Sequence, residues 1–239
     1  MIEVNKLSLR LGTKQILDNV SFNLSDQRNL AIIGRSGSGK TMLIKTMLGI
    51  FKPDTGAVTI DGVNIYHDSK EERKKVLDGI SMVFQNAALL DSLSVQQNIA
   101  LPLYERAVFD VKTIDRKVEE CLSIVGLSHS KSMYPSELSG GMRKRIGIAR
   151  ALVYQPKYIV FDEPISGLDP ITASEIMYYI AKISSERRAT TITITHHIRD
   201  IQSIADTVLF IDDGSVVYFG SPSGLLESPN EFISKFITL

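Results

Sequence analysis

The N-terminal thirty residues alternate between apolar and polar positions. The alternation covers residues 2–9 and 16–24, with Gly12 and Thr13 between the two stretches. A period of two residues is typical of strands that bury one face. The pattern therefore predicts two antiparallel strands that are joined by a turn at Gly12 and Thr13.

Short apolar runs in the rest of the chain indicate further strands. They cover residues 30–33, 58–60, 63–65, 80–84, 158–161, 191–194, 208–211 and 216–219. Asp61–Gly62 and Asp213–Gly214 separate neighbouring runs and predict hairpins. Helical spacing at residues 42–48 and 172–187 places helices between other strands. Because strands alternate with helices, the sequence predicts an α/β fold with a partly parallel sheet.

From residue 94 to about residue 154 the apolar positions recur at helical spacing, which predicts a mostly helical segment. Three parts are predicted within a single domain of residues 1–239: an α/β core with an N-terminal antiparallel β-subdomain (1–90 and 155–220), an inserted helical subdomain (91–154) and a C-terminal helical segment (221–239). The C-terminal segment is amphipathic. It either packs on the core, which we favour, or contributes to dimerisation.

The composition excludes several functional classes. Lys and Arg together number 27, as do Asp and Glu, and this zero net charge argues against a nucleic-acid partner. The single cysteine, Cys121, excludes an intrachain disulfide and a cysteine-based zinc site. No apolar run approaches the roughly 18 residues of a membrane-spanning helix. We therefore expect a soluble or peripheral protein, whose role in any transport requires a separate channel polypeptide.

A glycine-rich segment follows the predicted strand at residues 30–33 and precedes a predicted helix. It fits the pattern G-x-x-x-x-G-K-T and consists of Gly34, Arg35, Ser36, Gly37, Ser38, Gly39, Lys40 and Thr41. Backbone N–H groups of such a loop bind phosphate oxygens, and the next helix adds its positive end. Lys40 is expected to reach the β- and γ-phosphates and Thr41 to ligate Mg²⁺. Met42 completes the predicted nucleotide-binding segment; a chance glycine-rich turn is the alternative.

Two acidic residues, Asp162 and Glu163, end the apolar run at residues 158–161. In an enzyme with this phosphate-binding loop, an aspartate at such a strand end lies near Mg²⁺. Asp162 is that candidate, acting through water, and Glu163 fits a general base that polarises the attacking water. A solvated turn is the alternative, which the phosphate-binding loop makes less favourable.

With these motifs placed, the chain resembles the ABC ATPase family over nearly its whole length. The resemblance lies in Leu138-Ser139-Gly140-Gly141-Met142, similar to the LSGGQ signature, in Gln85 of a Q-loop, in Ser166-Gly167-Leu168-Asp169 of a D-loop and in His196 as a switch histidine. The resemblance implies a P-loop NTPase (RecA-like) core that binds ATP and Mg²⁺. It also implies a head-to-tail homodimer, in which each ATP lies between the loop of one copy and the signature of the other.

The resemblance also implies a role for each of these residues. Ser139, Gly140, Gly141 and Asp169 are expected to complete the nucleotide site of a partner copy, and Gln85 to sense Mg²⁺ and the attacking water. His196 is expected to contact the γ-phosphate. Their alternatives are an ordinary helix cap for the signature, a surface glutamine, and a surface histidine beside His197.

The sequence departs from the family pattern in three places. Leu9, Arg10 and Leu11 stand where family members often have an aromatic residue that stacks on adenine. Base stacking is therefore expected to be weaker, which puts discrimination against GTP in doubt. The signature ends in Met142 instead of Gln, and His197 stands where the family commonly has Asp.

The segments 135–145, 167–172 and 84–95 are similar to the ATPase subunits of Mla/MCE-type lipid transporters. This resemblance implies lipid transport across the bacterial envelope, two integral membrane permease subunits, a lipid-binding MCE-type partner and a peripheral location on the cytoplasmic face of the inner membrane. The apolar run at residues 87–90 would then dock a permease helix, or else only pack in the core. The alternatives are an amino-acid or other small-solute importer and an ABC ATPase that acts as a mechanical switch without transport.

Overall fold

The computed structural model describes residues 1–106, 110–187, 189–196 and 201–238. The strands within these ranges are β1 (Ile2–Leu11), β2 (Lys14–Leu24), β3 (Asn29–Ile33), β4 (Thr55–Ile60), β5 (Val63–Asn64), β6 (Ile80–Val83), β7 (Tyr158–Asp162), β8 (Thr190–Ile194), β9 (Thr207–Asp212) and β10 (Ser215–Gly220). The helices are α1 (Lys40–Met47), α2 (Lys70–Leu77), α3 (Val95–Arg106), α4 (Val111–Ile124), α5 (Gly140–Leu152), α6 (Pro170–Arg187), α7 (Ile201–Ile204), α8 (Pro222–Leu226) and α9 (Glu231–Thr238).

The N-terminal sheet has four antiparallel strands in the order β2-β1-β4-β5. The predicted turn between β1 and β2 is present, with Gly12 at a φ of 61°. Leu7 pairs with Val20 and both are fully buried, because the alternating apolar side chains all point to the same core. The hairpin at Asp61–Gly62 joins β4 to β5, as predicted.

The central sheet has six strands in the order β10-β9-β3-β8-β7-β6. The five strands from β9 to β6 run parallel, and β10 returns antiparallel after the Asp213–Gly214 hairpin. Tyr158 to Phe161 of β7 are all buried, which explains why this parallel strand shows a continuous apolar run instead of alternation. The α/β fold, its β-subdomain and its helical part are as the sequence predicts.

The helices α3, α4 and α5 lie within residues 94–154, where helical spacing predicts them. Asp110 caps α4 by accepting a hydrogen bond from the backbone N–H of Thr113 at 2.9 Å. The apolar faces of the three helices form one core with Phe161 of β7 and Ile176 of α6. The helical part is therefore packed directly on the central sheet, while the boundaries at residues 91, 154 and 221 stay a prediction.

The charged run at residues 70–75 forms part of α2, which has no buried residue and is a solvated helix. Of the helices in the described part of the chain, none combines the length and apolar character that crossing a bilayer requires.

The C-terminal segment packs on the central sheet. The rings of Phe232 and Phe236 lie 5.7 Å and 4.7 Å from the ring of Phe210 on β9, and Ile233 is 1% exposed. Apolar residues of α9 therefore lie in the same core cluster as Ala31 and Ile33 of β3. This agrees with the packing interpretation of the segment.

Replacing Ile233 by alanine is expected to lower the free energy of unfolding by about 2–5 kcal/mol, because the substitution leaves a cavity in this core. Chemical denaturation followed by circular dichroism measures the change. Ile171→Ala is the matched control, because Ile171 is 77% exposed, and its effect is expected within about 0.5 kcal/mol. Equal effects of the two substitutions would contradict the packed position of α9.

Candidate active site

Three parallel strands bring the predicted site residues to one edge of the central sheet. Ile194 of β8 lies in register with both Ile32 of β3 and Asp162 of β7. The backbone continues the ladder beyond the strands, because the N–H of Glu163 donates to the carbonyl of Ile194 at 3.0 Å. The carboxyl ends of β3, β7 and β8 therefore meet, which places the glycine-rich loop, the acidic pair and His196 around one edge.

The glycine-rich loop between β3 and α1 depends on backbone conformations that favour glycine. Gly34, Gly37 and Gly39 have φ angles of 150°, 77° and 104°. A Cβ on Gly34 would overlap the backbone carbonyl of Ile211, and a Cβ on Gly39 would lie 2.8 Å from the carbonyl oxygen of Ile16. Neither position has room for a side chain, so the loop can close tightly before α1 begins at Lys40.

The Lys40 side chain lies inside this loop. Its ammonium donates hydrogen bonds of 2.8 Å to the carbonyl oxygens of both Gly34 and Arg35, and the residue is 7% exposed. Burial lowers the pKa of Lys40, while the negative charges of Glu163 and Asp162 oppose that shift. A buried cation held among carbonyl dipoles is suited to bind an anion that enters the loop.

The loop also contains a hydroxyl suited to a phosphate oxygen. The Oγ of Ser38 is buried and makes no hydrogen bond within the described protein, although buried polar atoms are normally paired. A phosphate oxygen could accept a hydrogen bond from this hydroxyl. The Arg35 side chain is used differently, because its guanidinium makes a two-point contact with Asp212 at 2.8 Å and 2.7 Å.

The carboxylate of Asp162 lies in surroundings that favour a bound cation. Burial raises the pKa of Asp162, the charge of Glu163 raises it further, and Lys45 and Lys40 oppose both effects. A divalent cation would offset this cost. Among the described residues there is no cluster of three His, Cys, Asp or Glu side chains that could hold a metal alone. A single, partly buried carboxylate such as that of Asp162 fits Mg²⁺, which binds through one or two protein oxygens together with substrate phosphates and water.

Glu163 and His196 are directly paired. The Nδ1 of His196 lies 2.8 Å from the Oε2 of Glu163, with the Glu163 side chain 18% exposed and the His196 side chain 53% exposed. Glu163 has a φ of 48°, a left-handed conformation that is uncommon outside glycine. A carboxylate that is partly shielded from water and oriented by an imidazole is suited to accept a proton from water. His197 lies outside the described residues.

Gln85 follows β6, which is the parallel neighbour of β7. Its side-chain amide donates to the hydroxyl of Ser166 at 3.0 Å, in the loop that follows the acidic pair. Two residues further on, Ala87 and Ala88 have φ angles of 56° and 47°. This left-handed pair is held by Arg150 of α5, which donates to the two alanine carbonyls at 2.6 Å and 2.8 Å.

The signature residues form a second cluster with the D-loop. Ser139 caps α5 by accepting from the N–H of Met142 at 3.2 Å, and Gly140 lies beside Leu168. A Cβ on Gly141 would overlap the methyl group of Thr172, which explains why glycine stands there.

Asp169 belongs to the same cluster and caps α6. Its carboxylate accepts from the N–H groups of Ile171 and Thr172 at 3.1 Å and 3.0 Å, and from the hydroxyl of Thr172 at 2.6 Å. These hydrogen bonds, that of the hydroxyl most of all, lower the pKa of Asp169.

Within the described chain no hydrogen bond joins this second cluster to the glycine-rich loop. The nucleotide contacts predicted for Ser139, Gly140, Gly141 and Asp169 therefore stay a prediction that requires a second copy.

Sequence reasoning did not find two cations on α5, Lys144 and Arg150. Lys144 is buried and donates to the backbone carbonyl of Glu163, and Arg150 holds the turn after Gln85. In the sequence, Lys144 lies within a basic run, Arg143-Lys144-Arg145, that suggests a solvated surface. Lys144 lies three residues after Gly141 and four before Ile148, which places it on the buried face of the helix. This helical spacing was the signal in the sequence that could have identified it.

Comparison with known sequences identifies proteins similar to this chain. The sequence profile described as "ABC transporter" matches residues 17–166. Methionine import ATP-binding proteins from Staphylococcus haemolyticus and Carboxydothermus hydrogenoformans are 36% and 39% identical, over 98% of this chain and 70% of their own lengths. A protein of Mycobacterium tuberculosis named for ribonucleotide transport is 34% identical, over 99% of this chain and 66% of its own.

Solved structures show the same relationship. A protein described as cbiO1 from Clostridium perfringens, part of an ABC transporter complex, has a TM-score of 0.87 and 30% identity, covering 98% of this chain and 93% of its own. The ATP-binding cassette MJ0796, solved as a dimer with ADP and Pi in a post-hydrolysis state, has a TM-score of 0.83 and 28% identity, covering 93% and 99%. Sequence and structure thus lead to one assignment: this chain belongs to the ABC transporter family as an ATP-binding protein that hydrolyses ATP.

Proposed function

We propose that this chain is the ATPase subunit of an importer for an amino acid or another small solute. The observation that supports this proposal is the similarity, over nearly the whole chain, to proteins named for methionine import. The relatives described above favour this alternative over the lipid transport that residues 135–145, 167–172 and 84–95 suggest. They give no support to an MCE-type partner, and lipid transport is kept as the second candidate on those three segments.

In the proposed reaction the glycine-rich loop binds the phosphates of ATP, with Lys40 supplying a positive charge and Ser38 a hydroxyl. The Thr41 hydroxyl, Asp162 and Gln85 offer the hard oxygen atoms that Mg²⁺ prefers. When bound, Mg²⁺ would neutralise charge on the transferred phosphoryl group. Glu163 accepts the proton of the attacking water, and His196 keeps the Glu163 carboxylate in place through the 2.8 Å contact.

Completion of the site requires a second copy in this proposal. Ser139, Gly140 and Gly141 form the N-terminal end of α5, where N–H groups and the helix dipole favour a γ-phosphate. Among the described residues, no hydrogen bond joins them to the loop of their own chain. The dimer with ADP and Pi that was solved for MJ0796 supports a shared site. We therefore propose a homodimer with two ATP sites, each built from both copies.

The proposed permease contact is the groove between β6 and the helices α3 and α5. Its lining includes Phe84, Leu101, Pro102, Arg150 and Tyr154. Phe84 is an exposed apolar residue, and Leu90, also exposed, follows the turn after Gln85, whereas Ala87 is buried in the protein itself. Ala87 therefore packs in the core. Phe84 and Leu90 form an exposed apolar surface that is suited to bind a helix from a partner. We propose that two integral membrane permease subunits bind this chain, which lies peripherally on the cytoplasmic face of the inner membrane.

Reconstitution of the complex in liposomes tests the transported solute. The tagged chain would be purified from detergent-solubilised membranes together with its bound permease, and ATP-dependent uptake of radiolabelled methionine and other amino acids would be measured. The unmodified complex is expected to take up a labelled amino acid, and the complex that carries Glu163→Gln is expected to show no uptake. Transfer of fluorescent phospholipid between vesicles, without uptake of any amino acid, would support the second candidate instead.

Glu163→Gln is expected to leave ATP binding intact and to slow hydrolysis at least about a hundredfold, because the amide cannot accept the proton of water. Steady-state phosphate release measures the rate, and fluorescent ATP titration measures binding. Glu120→Gln on the exposed side of α4 is the control. Turnover close to that of the unmodified protein would remove Glu163 from its role.

Lys40→Ala is expected to weaken ATP binding by about tenfold or more, because a charge-assisted hydrogen bond to phosphate contributes about 1.5–3 kcal/mol. Isothermal titration with ATP and Mg²⁺ measures the dissociation constant. The exposed Lys52→Ala provides the control, with affinity expected to remain unchanged. An unaltered affinity of Lys40→Ala would contradict the assignment of the loop.

A further inference from the structure

A buried lysine on α5 contacts the backbone of the general base. Lys144 is 8% exposed, and its ammonium donates to the carbonyl oxygen of Glu163 at 3.5 Å. Burial lowers the pKa of Lys144, and the nearby charge of Glu163 opposes that shift. A buried ammonium group is costly to keep unless it has a specific partner. The partner that the structure shows is the backbone carbonyl of Glu163, whose side chain is proposed to accept the proton of the attacking water.

Glu163 needs such support because its backbone is in an unfavourable conformation. Its φ of 48° lies in the left-handed region, which non-glycine residues keep only when several contacts fix them. Three contacts hold the backbone of Glu163: its N–H donates to Ile194, and its carbonyl accepts from the N–H of Ser166 at 3.2 Å and from the ammonium of Lys144 at 3.5 Å. The Lys144 contact is the one of the three that comes from α5.

The helix that carries Lys144 also begins with the signature. Ser139 caps α5, and Lys144 lies about one turn into the helix. Further along, Arg150 holds the carbonyls of Ala87 and Ala88. A displacement of α5 as a rigid element would therefore move the signature and the support of Glu163 together.

We propose that Lys144 is a positioning residue that holds Glu163 in the left-handed conformation in which its carboxylate meets His196. It thereby links the signature of a chain to the general base of the same chain. This inference rests on the proposed homodimer, in which the signature contacts the nucleotide of the partner copy. Nucleotide at the partner's site would then favour a competent Glu163 in this chain's own site.

The test compares Lys144→Met in the full-length homodimer with the unmodified protein and with Lys112→Met, an exposed position on α4. Lys144→Met is expected to lower kcat at least about tenfold and to change KM less than about twofold. Its Tm is expected to stay equal or rise, because an apolar side chain of similar length replaces a buried charge. A parallel loss of Tm and kcat would show a merely structural role and overturn the proposal, as would an unchanged kcat.

A double variant separates action through Glu163 from an independent effect. In the Glu163→Gln background, adding Lys144→Met is expected to lower kcat by less than about twofold, because the group that Lys144 positions is already disabled. A further tenfold loss would contradict the proposal. Should Lys144→Met fail to fold, the same comparison with Lys144→Leu, which also lacks a donor, decides the question.

The failure of the proposed function looks different from the failure of this inference. If the unmodified chain neither hydrolyses ATP nor forms an ATP-dependent dimer by size-exclusion chromatography, the proposed function is wrong. If the unmodified chain does both, Glu163→Gln slows turnover at least about a hundredfold and Lys144→Met has the kcat of the Lys112→Met control, only the role of Lys144 is wrong.

Discussion

The parallel pairing of β3, β8 and β7 is the constraint on which the site depends. Ile194 lies in register with both Ile32 and Asp162, so strand pairing brings together the residues that follow the three strands. A slip of one residue would turn the side chains of a strand to the opposite face. It would also separate Glu163 from His196, which now lie 2.8 Å apart. The backbone ladder and the burial of these strands stabilise the pairing.

Burial at this edge of the sheet disfavours the charged forms of several ionisable side chains. Lys40, Lys144 and Asp162 all have pKa values shifted first by burial toward the neutral form, and in each case a neighbouring opposite charge resists the shift. Glu163 favours the charged forms of both lysines, and Asp162 and Lys40 favour the charged form of each other. A nucleotide with Mg²⁺ adds negative charge beside Lys40 and positive charge beside Asp162, and both additions favour the ionised forms. The protein alone leaves this balance incomplete, as the unpaired hydroxyl of Ser38 also indicates.

Local patterns predicted much of this arrangement. The glycine-rich loop, the acidic pair and the individual strands follow from motifs and apolar periodicity, because each is encoded within a short segment of the chain. The left-handed φ of Glu163 and the contact between Gln85 and Ser166 depend on segments that meet only in the folded chain. Lys144 shows the limit most clearly. Its sequence neighbours Arg143 and Arg145 suggest solvent, whereas its burial results from the packing of α5 on β7 and α6.

The same helix explains how a docking surface and a catalytic edge can act together. Arg150 lies in the proposed permease groove and at the same time holds the left-handed turn of Ala87 and Ala88. Two consecutive alanines in this conformation cost roughly 1–2 kcal/mol each, so the turn depends on the guanidinium that spans it. A partner helix that displaced Arg150 would release the turn beside Gln85 and shift α5. Because Lys144 lies on that helix, the geometry of Glu163 would change with it, and the rate of hydrolysis would depend on the state of the permease.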